Sequence, residues 1–305
     1  MGKTAFVFAG QGSQHAGMGA ELMGTREGGA VFDALEKIRP GTRQLCLEGT
    51  QEELTRTDNT QPCLFAVELA AAAILAGGGI LPDLAAGFSL GELSALCCGG
   101  AADLEEMFRI VCRRGELMQK ASEEHPARMA AVLKLDADTV GRLCASCTSV
   151  YPVNYNCPGQ TTVSAAGEQM DAFLAEVKKA GGRAVPLKVG GGFHSPFMAE
   201  AADAFADFLA DMPLKEPRMP VYSNALAVPY GPKVGELLVR QMVSPVRWEE
   251  SVRAMISAGT DTFIELGPGK TLTGMIRRID AGVRTFSVET AADAQEVIDI
   301  ISGQR

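Results

Sequence analysis

Histidine is almost missing from this chain, with three residues in 305, at positions 15, 125 and 194. Any imidazole base must therefore come from a very short set. A surplus of positive charge is missing too. The net charge of −9 argues against a general nucleic-acid binder and against an anionic membrane surface. The first residues, Met1-Gly2-Lys3-Thr4-Ala5-Phe6-Val7-Phe8, hold too short an apolar run for a signal peptide, and no cleavage-type segment follows. No apolar stretch runs unbroken for a membrane's thickness. The most hydrophobic one, 64–81, is interrupted by Glu68 and by Gly77-Gly78-Gly79, which predicts a buried core helix and its exit loop. Cys144-x-x-Cys147 lacks a second cysteine pair or a neighbouring histidine to complete a metal site. Eight cysteines without a signal peptide predict reduced thiols in a cytoplasmic protein. Low-complexity segments are also lacking, as are internal repeats beyond the two halves of an insert described below.

Apolar residues make up 47% of the chain and charged residues 21%, an ordinary globular composition. The length supports one large domain, or one domain carrying an insert. Short apolar runs alternate with helical patterns, predicting α/β architecture with a largely parallel sheet. A strand is expected at 4–9, followed by the loop Gly10-Gln11-Gly12-Ser13-Gln14 at its carboxyl end, where open α/β sheets bind ligands. Asp103 and Glu106 are spaced as a capping box for a helix over 103–121. Between 129 and 189 the rhythm changes. Strands at 129–135, 149–154, 161–165 and 184–189, with helices at 137–145 and 168–180, give the ferredoxin-like βαββαβ order. Pro126 and the glycines 190–192 bracket this insert. The expected division is 1–127 with 190–305 as the large domain and 128–189 as the small one. Further strands are expected near 221–223 and 262–266.

The most informative segment is Gly87-Phe88-Ser89-Leu90-Gly91, between an apolar run and a helical stretch at 92–98. A Gly-x-Ser-x-Gly in that context is a nucleophile elbow. Small residues permit a sharp turn that lifts the serine hydroxyl out of the sheet, and the N–H groups that follow face an oxyanion at a helix N-terminus. A serine hydroxyl needs a base. His125 precedes Pro126 at the insert boundary, where exposure is expected, and His15 follows the Gly10–Gln14 loop with nothing nearby to orient it. His194, in Gly190-Gly191-Gly192-Phe193-His194-Ser195-Pro196, is the favoured base, with His15 the other candidate. Carboxylates are too numerous for composition to name a third triad member. On a helical wheel at about 100° per residue, Leu104, Met107, Phe108, Val111, Gly115 and Met118 form one stripe, and Arg114 sits at its edge. Arg113 points to solvent. Arg114 can lay its stem on the core and fork a carboxylate in a cleft, or serve in a structural salt bridge. Lys270, Arg277 and Arg278 read as a solvated helix face.

Together these motifs resemble the acyltransferase family of malonyl-CoA:acyl carrier protein transacylases and polyketide synthase acyltransferase domains. The resemblance spans the chain. It also rests on Phe8-Ala9-Gly10-Gln11-Gly12-Ser13-Gln14, Asn156-x-Pro158-Gly159-Gln160, Arg240-Gln241 with Pro245-Val246-x-Trp248, and Gly267-Pro268-Gly269. It implies a hydrolase-like α/β domain with a ferredoxin-like insert, and malonyl transfer through a malonyl-serine intermediate to the phosphopantetheine thiol of acyl carrier protein, feeding fatty acid synthesis. By resemblance Ser89 is the nucleophile, His194 its base, and Gln241 supplies the carbonyl that orients the histidine. Gln11 and Leu90 give oxyanion-hole N–H groups, and Arg114 pairs with the malonyl carboxylate. Phe193 matches the bulky residue of malonyl-selective members, and Asn156 lies in a substrate-side motif. No cofactor or metal is implied, malonyl-CoA being a substrate, and a monomer is expected. Phe88 stands where the family usually has histidine, and Ala9 where proline is common. A discrete polyketide-type acyltransferase and, further off, a serine thioesterase or other hydrolase are the alternative readings.

Overall fold

The computed structural model describes residues 2–187 and 189–303. Its strands are β1 (Lys3–Phe8), β2 (Leu84–Gly87), β3 (Ala127–Leu133), β4 (Val150–Cys157), β5 (Gln160–Ala166), β6 (Arg183–Pro186), β7 (Val221–Tyr222), β8 (Thr260–Leu266) and β9 (Arg284–Val288). Five of them form a parallel sheet in the order β7-β2-β1-β8-β9. Ala5 to Phe8 of β1 are buried without alternation, as a strand covered by helices on both faces requires. The helix Thr57–Gly77 lies in the core, with 78% of its most apolar window buried. Its length and hydropathy would suit a bilayer, but protein covers it instead.

The other four strands form an antiparallel sheet in the order β4-β5-β3-β6, the ferredoxin-like order expected for a βαββαβ unit. The helices Ala137–Ala145 and Gly167–Lys179 cover it through Val140, Met170, Phe173 and Val177. The α/β class with a second, smaller sheet is thus as the sequence indicates. Several bounds shift. β4 continues to Cys157, past the expected end at 154, because its far half pairs with β5 and then meets Val246. β6 ends at Pro186, and position 188 of the predicted strand lies outside the described residues. β7 has two residues, whereas β8 begins at Thr260. β9 carries no strong sequence signal, since this edge strand is largely half-buried. The predicted helix at 103–121 runs Leu104–Glu124, capped by Asp103 and Glu106 in the expected box.

Parallel register fixes where the loops emerge. Phe8 of β1 is level with Gly87 of β2 and with Leu266 of β8. The loop after β1, the Gly87–Gly91 turn and Gly267-Pro268-Gly269 therefore leave the sheet side by side at its carboxyl edge. Close packing there dictates two glycines. A Cβ on Gly87 would lie 1.8 Å from the carbonyl carbon of Gly91, and one on Gly91 would lie 2.3 Å from the Phe8 oxygen. Neither obstacle can move, because both are backbone.

Hydrogen bonds tie the small sheet to the large domain. Tyr155 N–H donates to the Val246 carbonyl at 2.9 Å, and Val246 N–H donates to Val153 at 2.8 Å. Arg278 donates to Gln160 Oε1 at 2.7 Å and to the Pro158 carbonyl at 2.8 Å. That corrects the expectation of a merely solvated arginine at 278. Its helix, Thr271–Ile279, lies beside the β4–β5 turn, and the guanidinium fork bridges the gap.

Gly87→Ala should cost more than about 3 kcal/mol, since overpacking against backbone cannot relax through rotamers. Gly141→Ala, in a helix with nothing within 4 Å of the added atom, should be neutral or stabilising. Thermal melts of the two variants check this; an unchanged melting temperature for Gly87→Ala would contradict the close approach.

Candidate active site

Ser89 sits at the tip of the turn between β2 and the helix Gly91–Cys98, with φ of 56°. A non-glycine residue in the left-handed region costs about 1–3 kcal/mol and persists only where its surroundings hold it. The Asn224 side chain does that holding. Its Oδ1 accepts from Ser89 N–H at 2.8 Å and its Nδ2 donates to the Gly87 carbonyl at 2.7 Å.

The Ser89 hydroxyl meets His194 Nε2 at 2.7 Å. His194 also has a positive φ, 59°, and is 3% exposed. On its other side, Nδ1 donates to the main-chain carbonyl of Gln241 at 2.8 Å. This bond sets the tautomer, placing the proton on Nδ1 and leaving Nε2 as acceptor for the serine. Gln241 lies in the last turn of the helix Val234–Met242. Its carbonyl, which also receives the Ser244 N–H at 3.4 Å, belongs to the end of the helix, where the dipole is negative and favours a developing imidazolium. A helix terminus thus stands where a triad would place a carboxylate. Burial, and then the charge of Arg114, push the His194 pKa down to about 4. The ring is therefore a neutral base throughout the physiological range.

Arg114 is fully buried, on the long helix Leu104–Glu124, at the stripe edge where the wheel placed it. Arg113 pairs with Glu116 on the surface. The Arg114 guanidinium donates to Gln61 Oε1 and to Gln241 Oε1, both at 2.8 Å, and to the Ser89 hydroxyl at 3.3 Å. Its Nε has no partner among the described residues. Burial pulls its pKa down to about 10, against the pull of Glu92, so it remains a cation at neutral pH. Among the described residues no carboxylate touches it, which argues against a structural salt bridge. A cation held this way beside a serine hydroxyl can receive the anionic end of an acyl group.

The N–H groups of Gln11 and Leu90 have no acceptor among the described residues. Both follow strands that end side by side, so they are available to an oxyanion. Beyond Phe88 opens a cavity of about 230 Å³ between the two sheets, lined by Gln11, Asn154, Asn156, Gln160, Leu187 and Met275 among others. Asn156 donates to Thr162 Oγ1 at 3.1 Å, while its own Oδ1 and that of Asn154 are buried without partners. Phe88 packs edge-on against Trp248, with ring centroids 5.7 Å apart. Phe193 is buried in the large core and is not among the cavity's lining residues.

The other histidines lie elsewhere. His15 is half-exposed, with Nε2 2.6 Å from Glu289, and hydrogen bonds to Ala16 and then to Glu289 raise its pKa. His125 is exposed, 3.7 Å from Glu200. Sequence reasoning missed Asn224, Gln61 and Tyr230, and gave Glu92 no role beyond opening the helical stretch after the serine. Glu92 is fully buried and accepts from Gln241 Nε2 at 2.8 Å, from Asn224 N–H at 3.2 Å and from the Tyr230 hydroxyl. One signal was available: a glutamate set directly before the apolar Leu93-Ser94-Ala95-Leu96 is out of place unless partnered.

Residues 5–296 match the acyl transferase domain family. Malonyl CoA-acyl carrier protein transacylase of Bacillus subtilis (strain 168) is 39% identical over 298 residues, covering 94% of each chain. The crystal structure of malonyl CoA-acyl carrier protein transacylase from Clostridium perfringens superposes with a TM-score of 0.95 at 31% identity, covering 99% of this chain and 98% of that one. A malonyl-transacylase solved in complex with its type II polyketide synthase acyl carrier protein gives a TM-score of 0.93 at 34% identity, covering 98% and 99%. Matched along nearly its whole length in both sequence and fold, this chain belongs to the acyl transferase domain family.

Proposed function

We propose that this protein transfers the malonyl group of malonyl-CoA to the phosphopantetheine thiol of an acyl carrier protein, in two half-reactions through a malonyl ester on Ser89, and so feeds fatty acid synthesis. One observation carries the acyl specificity: Arg114, fully buried and without a carboxylate partner, lies 3.3 Å from the Ser89 hydroxyl. An acetyl group would leave that cation unmatched, and a neutral acyl chain would gain nothing from it.

The steps follow from the geometry. Neutral His194 Nε2 takes the Ser89 proton as the oxygen attacks the thioester carbonyl. The N–H groups of Gln11 and Leu90 receive the oxyanion, a contribution of about 3 kcal/mol per donor in comparable sites. The Gln241 carbonyl holds the imidazolium as it forms. The tetrahedral intermediate collapses, coenzyme A leaves with the proton from His194, and the malonyl ester remains. Attack by the carrier thiol reverses the sequence, with His194 again as base. The polar residues Asn156 and Gln160 among the cavity's lining suit the amide-bearing pantetheine arm. Phe193 is read as the bulk beside His194 that disfavours a methyl branch on the acyl group. Eight free thiols fit a protein of the cytoplasm, and a monomer is sufficient because one chain supplies every group named.

Brief incubation with malonyl-CoA should add one malonyl group to the intact protein, located on Ser89, and nothing to Ser89→Ala. Coenzyme A release without any adduct would point to a hydrolase instead. Arg114→Ala should reduce malonyl transfer by about a hundredfold, the order expected when one side of a buried charged pair is removed. Acetyl transfer should be spared or improved, and equal losses for both would overturn the carboxylate role. Because His194 must be neutral to act and its pKa is held at about 4, the acid limb of acetyl-enzyme formation should lie near that value. A pH–rate profile with its inflection near 6.5, the ordinary imidazole range, would show that this depression is absent.

A further inference from the structure

The mechanism leaves one buried ionisable group of the motif unused. Glu92 sits in the first turn of the helix behind Ser89 and touches neither the hydroxyl nor the imidazole. Three donors converge on its carboxyl group: Gln241 Nε2, the Asn224 N–H and the Tyr230 hydroxyl. A group surrounded by donors is satisfied as a carboxylate and not as an acid. The Gln241 side chain faces two ways. Its Nε2 donates to Glu92 and to the Ser89 carbonyl, and its Oε1 accepts from Arg114. One amide therefore stands between a buried anion and a buried cation.

Arg114 otherwise meets only neutral partners, Gln61, Gln241 and Ser89. A buried guanidinium with only neutral contacts is costly unless a counter-charge lies close by. We propose that Glu92 is the standing counter-charge of Arg114 in the unacylated enzyme, relayed through the Gln241 amide, and that it thereby tunes how tightly an acyl carboxylate is held. The inference rests on the reading of Arg114 as the carboxylate-binding residue. With Glu92 ionised, the positive potential felt by an incoming carboxylate is reduced, and malonyl binding is weakened to a level that still permits release. Glu92 is in these terms a positioning residue that sets specificity, since it acts on the substrate through Gln241 and Arg114. Burial raises the Glu92 pKa to about 7, with Tyr230, Gln241, Asn224 and Arg114 all opposing the rise, so the group is charged at pH 8.5.

The test is steady-state transfer from malonyl-CoA and from acetyl-CoA to a phosphopantetheinylated acyl carrier protein at pH 8.5. Glu92→Gln keeps an acceptor for Gln241 and removes the charge. The KM for malonyl-CoA should fall by roughly fivefold, the lower range of coupling between linked sites, while the KM for acetyl-CoA stays within about twofold. Tyr230→Phe leaves Glu92 ionised but withdraws one of the donors that offset its charge, so the malonyl KM should rise while the acetyl KM does not, and this opposite shift decides the matter if Glu92→Gln does not fold. A group that merely braces the turn would give parallel losses in kcat for both acyl donors with no fall in the malonyl KM. That result overturns the inference. Arg114→Ala, run alongside, separates the two readings. If it leaves the malonyl-to-acetyl ratio unchanged, the reading of Arg114 fails; if it lowers the ratio while Glu92→Gln does not raise it, only the role of Glu92 fails.

Discussion

A guanidinium buried without a carboxylate partner is the constraint around which this site is organised. Arg114 sits at zero exposure with two glutamine oxygens and a serine hydroxyl fixed in place to receive it. Fixing them takes three separate parts of the fold. Gln61 comes from the core helix Thr57–Gly77, Ser89 from the strained turn after β2, and Gln241 from the end of the helix Val234–Met242. The charge acts back on the base as well. It is the second cause, after burial, of the low pKa of His194. One cation thus organises the resting site and adds to the burial that keeps the imidazole neutral.

Gln241 joins the two halves of this arrangement. Its main chain orients His194, and its side chain orients Arg114. A residue that hydrogen-bonds through both needs its backbone at a helix terminus, where a carbonyl has no full intrahelical bond and can take a side-chain donor, and its side chain in the core. Both conditions are met, since Gln241 is in the final turn of its helix and is fully buried. The absence of an aspartate or glutamate behind His194 follows. The helix end supplies a partial negative charge without the desolvation cost of a further buried ion.

Much of this was legible in the sequence. The glycine spacing around Ser89 encodes the turn because two backbone segments approach where no Cβ fits. The helical period put Arg114 at the edge of an apolar stripe, and the structure finds it buried facing the site. The βαββαβ rhythm of the small sheet survived in its alternating strands, which are covered by helices on one side and so keep a period. What escaped notice lacks any period. β9 is a half-buried edge strand whose side chains are not sorted by a single apolar face. Asn224 and Tyr230 are separated from Ser89 by more than a hundred residues, and only the closing of the parallel sheet brings them to it. Arg278 reads as one surface cation among several, because its partner is partly a backbone carbonyl, which has no signature in sequence.

The left-handed backbone at Ser89 also limits what could ever replace that residue. Threonine offers the same hydroxyl and a similar reactivity, but a β-branched side chain is disfavoured at φ of 56° by clash with its own main chain. Cysteine, unbranched, meets no such barrier. The choice between the two hydroxyl side chains at position 89 is therefore made by the geometry of a turn, before any question of chemistry arises.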